Sequence, residues 1–230
     1  MRSVKAIFIK QTKDMTKNFS VLIMFIIFPV VAFVMTEFVA RGNDDIPDTM
    51  FTTMMASIFV GMALIQSACA VIAEDREKKS LRFLVIAGVK PLSYLLGIGG
   101  VIFTAGLLSS LAFGFIGGFE QSEFLAFMAV MLSGAIASIL LGATIGIFAK
   151  NQQAATGLSM PIAMVLGFGP MVAQFNEQVE NVVGIFYTQQ ISVVVNDFSA
   201  GLTQPLTVIW INIAVLAVLF VLAYAKKGLS

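Results

Sequence analysis

The residues that could carry chemistry in this chain are few, and their types exclude more than they offer. There is no histidine and one cysteine, Cys69. Cys/His metal sites, disulfides within the chain and imidazole acid–base catalysis are therefore ruled out. Cys69 lies in an apolar run and reads as a small packed hydrophobe. No nucleophile–base set, inward-facing acidic pair or metal-ligand cluster falls in an apolar stretch, so we expect no catalytic residue, no metal site and no resident cofactor. A GxxxxGK[ST] phosphate loop is also missing. The ionisable groups that stand out form one run, Glu74-Asp75-Arg76-Glu77-Lys78-Lys79-Ser80-Leu81-Arg82-Phe83-Leu84-Val85-Ile86-Ala87-Gly88-Val89-Lys90-Pro91. Glu74, Asp75 and Glu77 suit the positive end of a helix dipole. Leu81, Leu84 and Val85 follow helical spacing, with Arg76, Lys79 and Arg82 off that face. Gly88 and Pro91 supply a stop. The run predicts a short amphipathic helix over 74–90, and the alternative is a solvated basic loop that only sets topology.

The elements on either side of this run are apolar. Of 230 residues, 58% are hydrophobic and 12% charged, against about 45–50% and 25% in soluble domains. Exposed in water, such a chain would display the large apolar patches that soluble monomers avoid. A bilayer core about 30 Å thick needs about 20 apolar residues of helix. Six stretches qualify: 19–39, 51–73, 92–118, 124–149, 154–173 and 206–225. They are continuous rather than alternating, which excludes a membrane barrel. The first is too long for the 7–15-residue core of a cleaved leader and is read as retained. The expected fold is an all-α integral membrane protein, one transmembrane domain over 1–230.

With six spans, every Lys and Arg except Arg41 falls on one side. Glu37, Asp44, Asp45, Asp48, Glu120, Glu123, Glu177, Glu180 and Asp197 fall on the other. Lys/Arg excess marks the cytoplasm, so both termini and the 74–90 run are expected inside a plasma membrane. An odd number of spans would divide the basic clusters. The span cores carry no ionisable residue, which argues against a proton- or ion-coupled carrier.

Three further segments have a pattern. Residues 1–18 put Val4, Ile7, Phe8 and Met15 near one helical face and Lys5, Lys10, Lys13 and Lys17 on the rest, as in an interfacial amphipathic helix. The alternative is a basic tail that only sets topology. The outer segment 174–205 is long and partly apolar. It reads either as short re-entrant helices buried in protein or as a helix on the outer surface. In the fourth span, Gly134, Ser138, Gly142 and Gly146 make a small-xxx-small face, read as packing within the chain. In the fifth, Pro161 and Gly167-Phe168-Gly169-Pro170 offer a kink and a break, beside the soft apolar surface of Met160, Met164, Phe168 and Met171.

Glu74-Asp75-Arg76-Glu77, Ser80-Leu81, Phe83-Leu84, Val89-Lys90-Pro91 and Tyr94-Leu95-Leu96-Gly97 together resemble the loop after the second span in permease subunits of type-2 ABC exporters. The layout of the whole chain is similar too. Lys79 stands where that family usually has glycine, Ser80 where it has threonine, and Ile98 where lysine is common. The resemblance implies a bacterial permease paired as a homodimer, or as a heterodimer with a similar chain. It implies a separate ABC ATPase holding ATP and Mg, membrane lipid around the assembly, and no nucleic acid. Glu74, Asp75, Arg76, Glu77, Ser80, Leu81, Phe83 and Leu84 would couple to the ATPase. The path would run near the dimer axis between the second and fifth spans, past Phe59, Met62, Met160, Met164 and Phe168. The family's candidate cargoes are antimicrobial peptides, drugs, lipids and polysaccharides, and the uncharged span cores favour a hydrophobic or amphipathic one such as a peptide, drug or lipid. The other classes kept open are a membrane scaffold without a path and a passive facilitator.

Overall fold

The computed structural model describes residues 2–43, 45–86 and 88–227, and every described element is helical. Asp44 and Ala87, which figure in the acidic side and the 74–90 run, lie outside the described residues. In chain order the helices are α1 (Arg2–Lys17), α2 (Phe19–Met35), α3 (Met50–Ile58), α4 (Ile65–Glu77), α5 (Ser80–Ile86), α6 (Pro91–Ile116), α7 (Gln121–Phe148), α8 (Gln152–Ala173), α9 (Glu177–Val183), α10 (Tyr187–Asn196) and α11 (Thr203–Lys227). A π-helical turn, Thr36–Ala40, extends α2, and another, Phe59–Leu64, joins α3 to α4. Six continuous segments are long and apolar enough to cross a membrane: Val21–Ala40, Met50–Glu77, Leu92–Ile116, Gln121–Phe148, Gln152–Ala173 and Thr203–Lys226. They match the six stretches read from the sequence to within a few residues.

Local chemistry explains the ends. Asn18 caps α2 by accepting from the Val21 N–H, Asn151 caps α8 through the Ala154 N–H, and Asn176 caps α9. Glu120 and Glu123 form a capping box at the start of α7. Pro91 opens α6, where its missing N–H costs nothing.

The spans are not equally enclosed. The second is 78% buried and the fourth 61%, whereas the first and sixth are 28% and the fifth 33%. The centre of the protein is therefore the packing of α4 on α7. The small residues of α7 make this contact possible. A side chain at Gly142 would collide with the Ile65 carbonyl and with Ala68, and one at Gly146 with the Cys69 backbone and Ile72. The stripe is thus an intramolecular seam, as the sequence suggests. Ser138 Oγ donates to the Val60 carbonyl inside the π turn at 2.7 Å and lies 2.9 Å from the Tyr187 hydroxyl.

Those bonds draw the outer segment inward. Residues 174–205 hold the short helices α9 and α10, a 3-10 turn at Phe198–Ala200 and the start of α11, and α10 is buried against α3, α7, α8 and α11. Ser138 is 17 residues from the start of α7, about 25 Å along a helix rising 1.5 Å per residue. The first residue of α10 therefore meets α7 deep within its length. α10 is thus held among the long helices, while α9 is exposed along most of its length with only Val183 buried.

Two expectations differ from the structure. The helix expected over 74–90 is divided. Residues 74–77 form the last turn of α4, Lys79 turns the chain with φ 58°, and α5 covers only Ser80–Ile86. The acidic residues find partners on other helices, described below, so they do not need the dipole of a helix of their own. The break expected at Gly167–Pro170 is also absent, since α8 runs unbroken through Pro161 and Pro170. Gly167 lies against Gly61, where a Cβ would come within 2.6 Å of backbone, and this backbone-to-backbone contact supports α8 beside the π turn.

Candidate coupling site and transport path

At the basic end, the four charged residues at the foot of α4 reach four different elements. Asp75, 4% exposed, lies between α1 and α6. Its Oδ1 is 2.7 Å from Lys10 Nζ, and its Oδ2 accepts from the Tyr94 hydroxyl at 3.1 Å. Tyr94 is fully buried with its ring 5.8 Å from that of Tyr224, and the Tyr224 hydroxyl donates to the Val89 carbonyl at 3.2 Å. Arg76 donates through Nη1 to the carbonyls of Ile147 and, at 3.2 Å, Ala149. Its positive charge thereby sits at the negative end of α7. Glu77 accepts the Gln152 N–H at 3.2 Å, at the positive end of α8, and Glu74 accepts Gln152 Nε2 at 2.9 Å. Glu74 also pairs with Lys78, which raises the lysine's pKa.

This foot of α4 thus ties α1, α6, α7 and α8 together, and α5 follows it after a two-residue turn. On α5, Phe83 is 69% exposed and Ile86 67%, while Leu84 packs against the core. Ser80 begins the helix and is half-buried. The side chain of Leu81 lies outside the described residues. Of the eight residues expected to couple, four are engaged within the chain, and among the side chains described Phe83 projects an apolar surface. Gln152 and Tyr224 join this end without having been named from sequence, and Lys10 and Tyr94 join it in a role the sequence did not assign them. The tyrosines carried a signal, because a phenol inside an apolar run needs a partner for its hydroxyl.

The five residues expected along a path separate into three groups. Phe59 stands apart from the other four. It is fully buried, with ring centroids 5.9, 6.2 and 5.5 Å from Phe25, Phe28 and Phe113, and it packs the core rather than facing an opening. Met62 and Met160 line a partly open cavity of about 430 Å³ between α2, the π turn, α4 and α8. Met164 and Phe168 lie on the exposed face of α8 with Leu158, Val165 and Val172. Among the described residues no cluster of metal-ligating side chains occurs.

The described residues thus form a bundle of six helices long and apolar enough to span a membrane, closed at one end by an interlocked set of charged side chains. A family model of ABC-2 family transporter proteins matches residues 43–225, and the chain belongs to that family. No curated protein matches the chain. It is a multi-pass, non-catalytic membrane subunit, and ABC-2 permeases in general work with an ABC ATPase.

Proposed function

We propose that the chain is the membrane half of an ATP-driven exporter for hydrophobic or amphipathic cargo, moved by a separate ATPase that binds ATP and Mg. The observation that carries this reading is the foot of α4. One short segment holds α1, α6, α7 and α8 by hydrogen bonds and ion pairs. A push on α5 would therefore reach four elements at once. Phe83 and Ile86 offer the apolar surface on which an ATPase would seat, and Glu74–Glu77 would transmit rather than touch.

The basic end faces the cytoplasm in this reading, in a bacterial plasma membrane, with lipid around the bundle. Two copies, or this chain and a similar one, would meet through the exposed apolar faces of α2 and α8. These faces include Phe33 and Val34 on α2 and Val165 and Phe168 on α8. The path would run beside the axis so formed, along Met62, Met160, Met164 and Phe168. The helix pair α9–α10 would dip back into the outer half of the bilayer, and α1 would lie at its inner surface.

The test is co-purification and vesicle transport with the partner ATPase. Phe83→Asp and Ile86→Asp are expected to abolish stimulation of ATP hydrolysis while leaving the bundle folded. Glu74→Lys with Glu77→Lys is expected to preserve ATPase binding but uncouple hydrolysis from transport. Unchanged stimulation in the α5 variants, or transport that persists without nucleotide, would reject this reading in favour of a scaffold or a facilitator.

A further inference from the structure

The cavity between α2, α4 and α8 is graded in polarity along the bundle axis. At the basic end its wall carries Asn18, Gln66, Ser67, Gln152 and Thr156. Deeper in, it carries Met24, Phe28, Met62 and Met160. None of the lining residues is charged. Its volume of about 430 Å³ falls in the ordinary range for small-molecule sites.

The polar half has unspent hydrogen-bonding capacity. Gln66 Oε1 lies 3.1 Å from Ser159 Oγ, whose one proton is shared with the Ala155 carbonyl at 2.7 Å, and Gln66 Nε2 donates to the Met160 thioether at 3.0 Å. A thioether is a weak acceptor, and an oxygen presented there would displace it. Ser67 is 1% exposed, and its hydroxyl has no hydrogen-bond partner. Ser67 is one of the residues that line the cavity. A buried unpaired hydroxyl is costly, so a ligand oxygen that pairs with it is favoured. Asn18 spends its carbonyl oxygen on the cap of α2 and keeps its amide donor. The two carboxylates that bond the lining residue Gln152 are engaged: Glu74 by Lys78 and Gln152 Nε2, Glu77 by the Gln152 N–H.

From this arrangement we infer that the cavity binds an amphiphile with one apolar chain and a neutral, oxygen-bearing head group such as glycerol, a sugar or an amide. The head lies at the basic end between Gln66 and Ser67, and the tail runs along Met24, Phe28, Met62 and Met160. A charged head is disfavoured, because it would lose its water inside a cavity none of whose lining residues offers a counter-ion. The inference deepens the transport reading by naming a cargo class, and rests on that reading only in taking this cavity as a stage on the cargo's way.

The experiment uses the full chain in lipid nanodiscs and tritiated monolaurin, a twelve-carbon monoacylglycerol. Competition by unlabelled monolaurin is compared with lauric acid and dodecyltrimethylammonium, which carry tails of similar length and opposite charges. Monolaurin is expected to compete at least tenfold better than either. Ser67→Ala and Gln66→Leu are each expected to weaken its binding by about fivefold, the effect of losing one hydrogen bond. Equal competition by the three heads on the unaltered chain, or unchanged binding in both variants, would overturn the inference. Because the head-group series needs no substitution, a misfolded variant cannot hide the answer. The two readings fail separately. Selective binding without ATP-driven transport keeps the site and sinks the exporter, and ATP-driven transport without selectivity does the reverse.

Discussion

At the scale of single residues, Asp75 is the group whose surroundings matter most. It is nearly buried and holds a lysine from α1 and a tyrosine from α6 on its two oxygens. Lys10 is 48% exposed, and an ion pair with one exposed partner is worth little beyond its hydrogen bond. Lys10→Met should therefore cost about 0–1 kcal/mol. Asp75→Ala also orphans the fully buried Tyr94 hydroxyl and should cost about 2–3 kcal/mol. Thermal unfolding of the purified variants in detergent measures both. If Lys10→Met proves the more damaging, the tyrosine is not the main partner. The same comparison separates Tyr94→Phe, expected to cost about 1 kcal/mol, from Tyr224→Phe, whose hydroxyl makes a single bond to the Val89 carbonyl.

At the scale of elements, the seam between α4 and α7 rests on the absence of side chains. Gly142→Leu pushes a branched group against the Ile65 carbonyl and Ala68 and should destabilise by about 3 kcal/mol or prevent folding, because overpacked contacts of this kind do not relax easily. Gly157, in α8, has open space around it. There Gly157→Ala should stabilise by about 0.5–1 kcal/mol through helix propensity alone. A melting temperature that falls for both variants would show that Gly157 has a partner outside this chain. Ser138 and Tyr187 form the corresponding link for α10. A double-mutant cycle with Ser138→Ala and Tyr187→Phe should give a coupling of about 0.5–1.5 kcal/mol. A coupling of zero would mean that α10 is held by its apolar contacts alone.

At the scale of the whole molecule, the uneven burial of the spans is the informative feature. The enclosed second and fourth spans form the centre, and the apolar faces of α2 and α8 look outward. In a Cys69→Ala background, cysteine at Val165 should cross-link to a second copy in native membranes, whereas cysteine at the equally lipid-accessible Leu108 should not. Equal yields at both positions would deny α8 a place at the dimer seam. A thiol placed at Ile86 should resist labelling from outside intact cells, while one at Asn43 should be labelled.

Much of this architecture was legible in the chain itself. Continuous apolar runs of spanning length define the six helices, because a bilayer forces every backbone group to be satisfied within its own helix. The small residues of α7 announced a close helix contact for the same reason: lipid gives no hydrophobic drive, so only shape can hold helices together. What the sequence could not reveal was which partner each group takes. Glu74 and Glu77 look like the acidic start of a helix, yet they serve the start of α8, some 75 positions further along the chain. Phe59 resembles a path-lining aromatic but sits among three other rings. The π turn at Phe59–Leu64 and the unbroken course of α8 through Pro170 leave no local signature, since both depend on neighbouring backbone rather than on the residues' own preferences. Span length and polarity are set by the solvent and act on each segment alone. The pairing of charges, the burial of α10 and the polar-to-apolar grading of the cavity arise only when distant segments meet, and tertiary packing decided those.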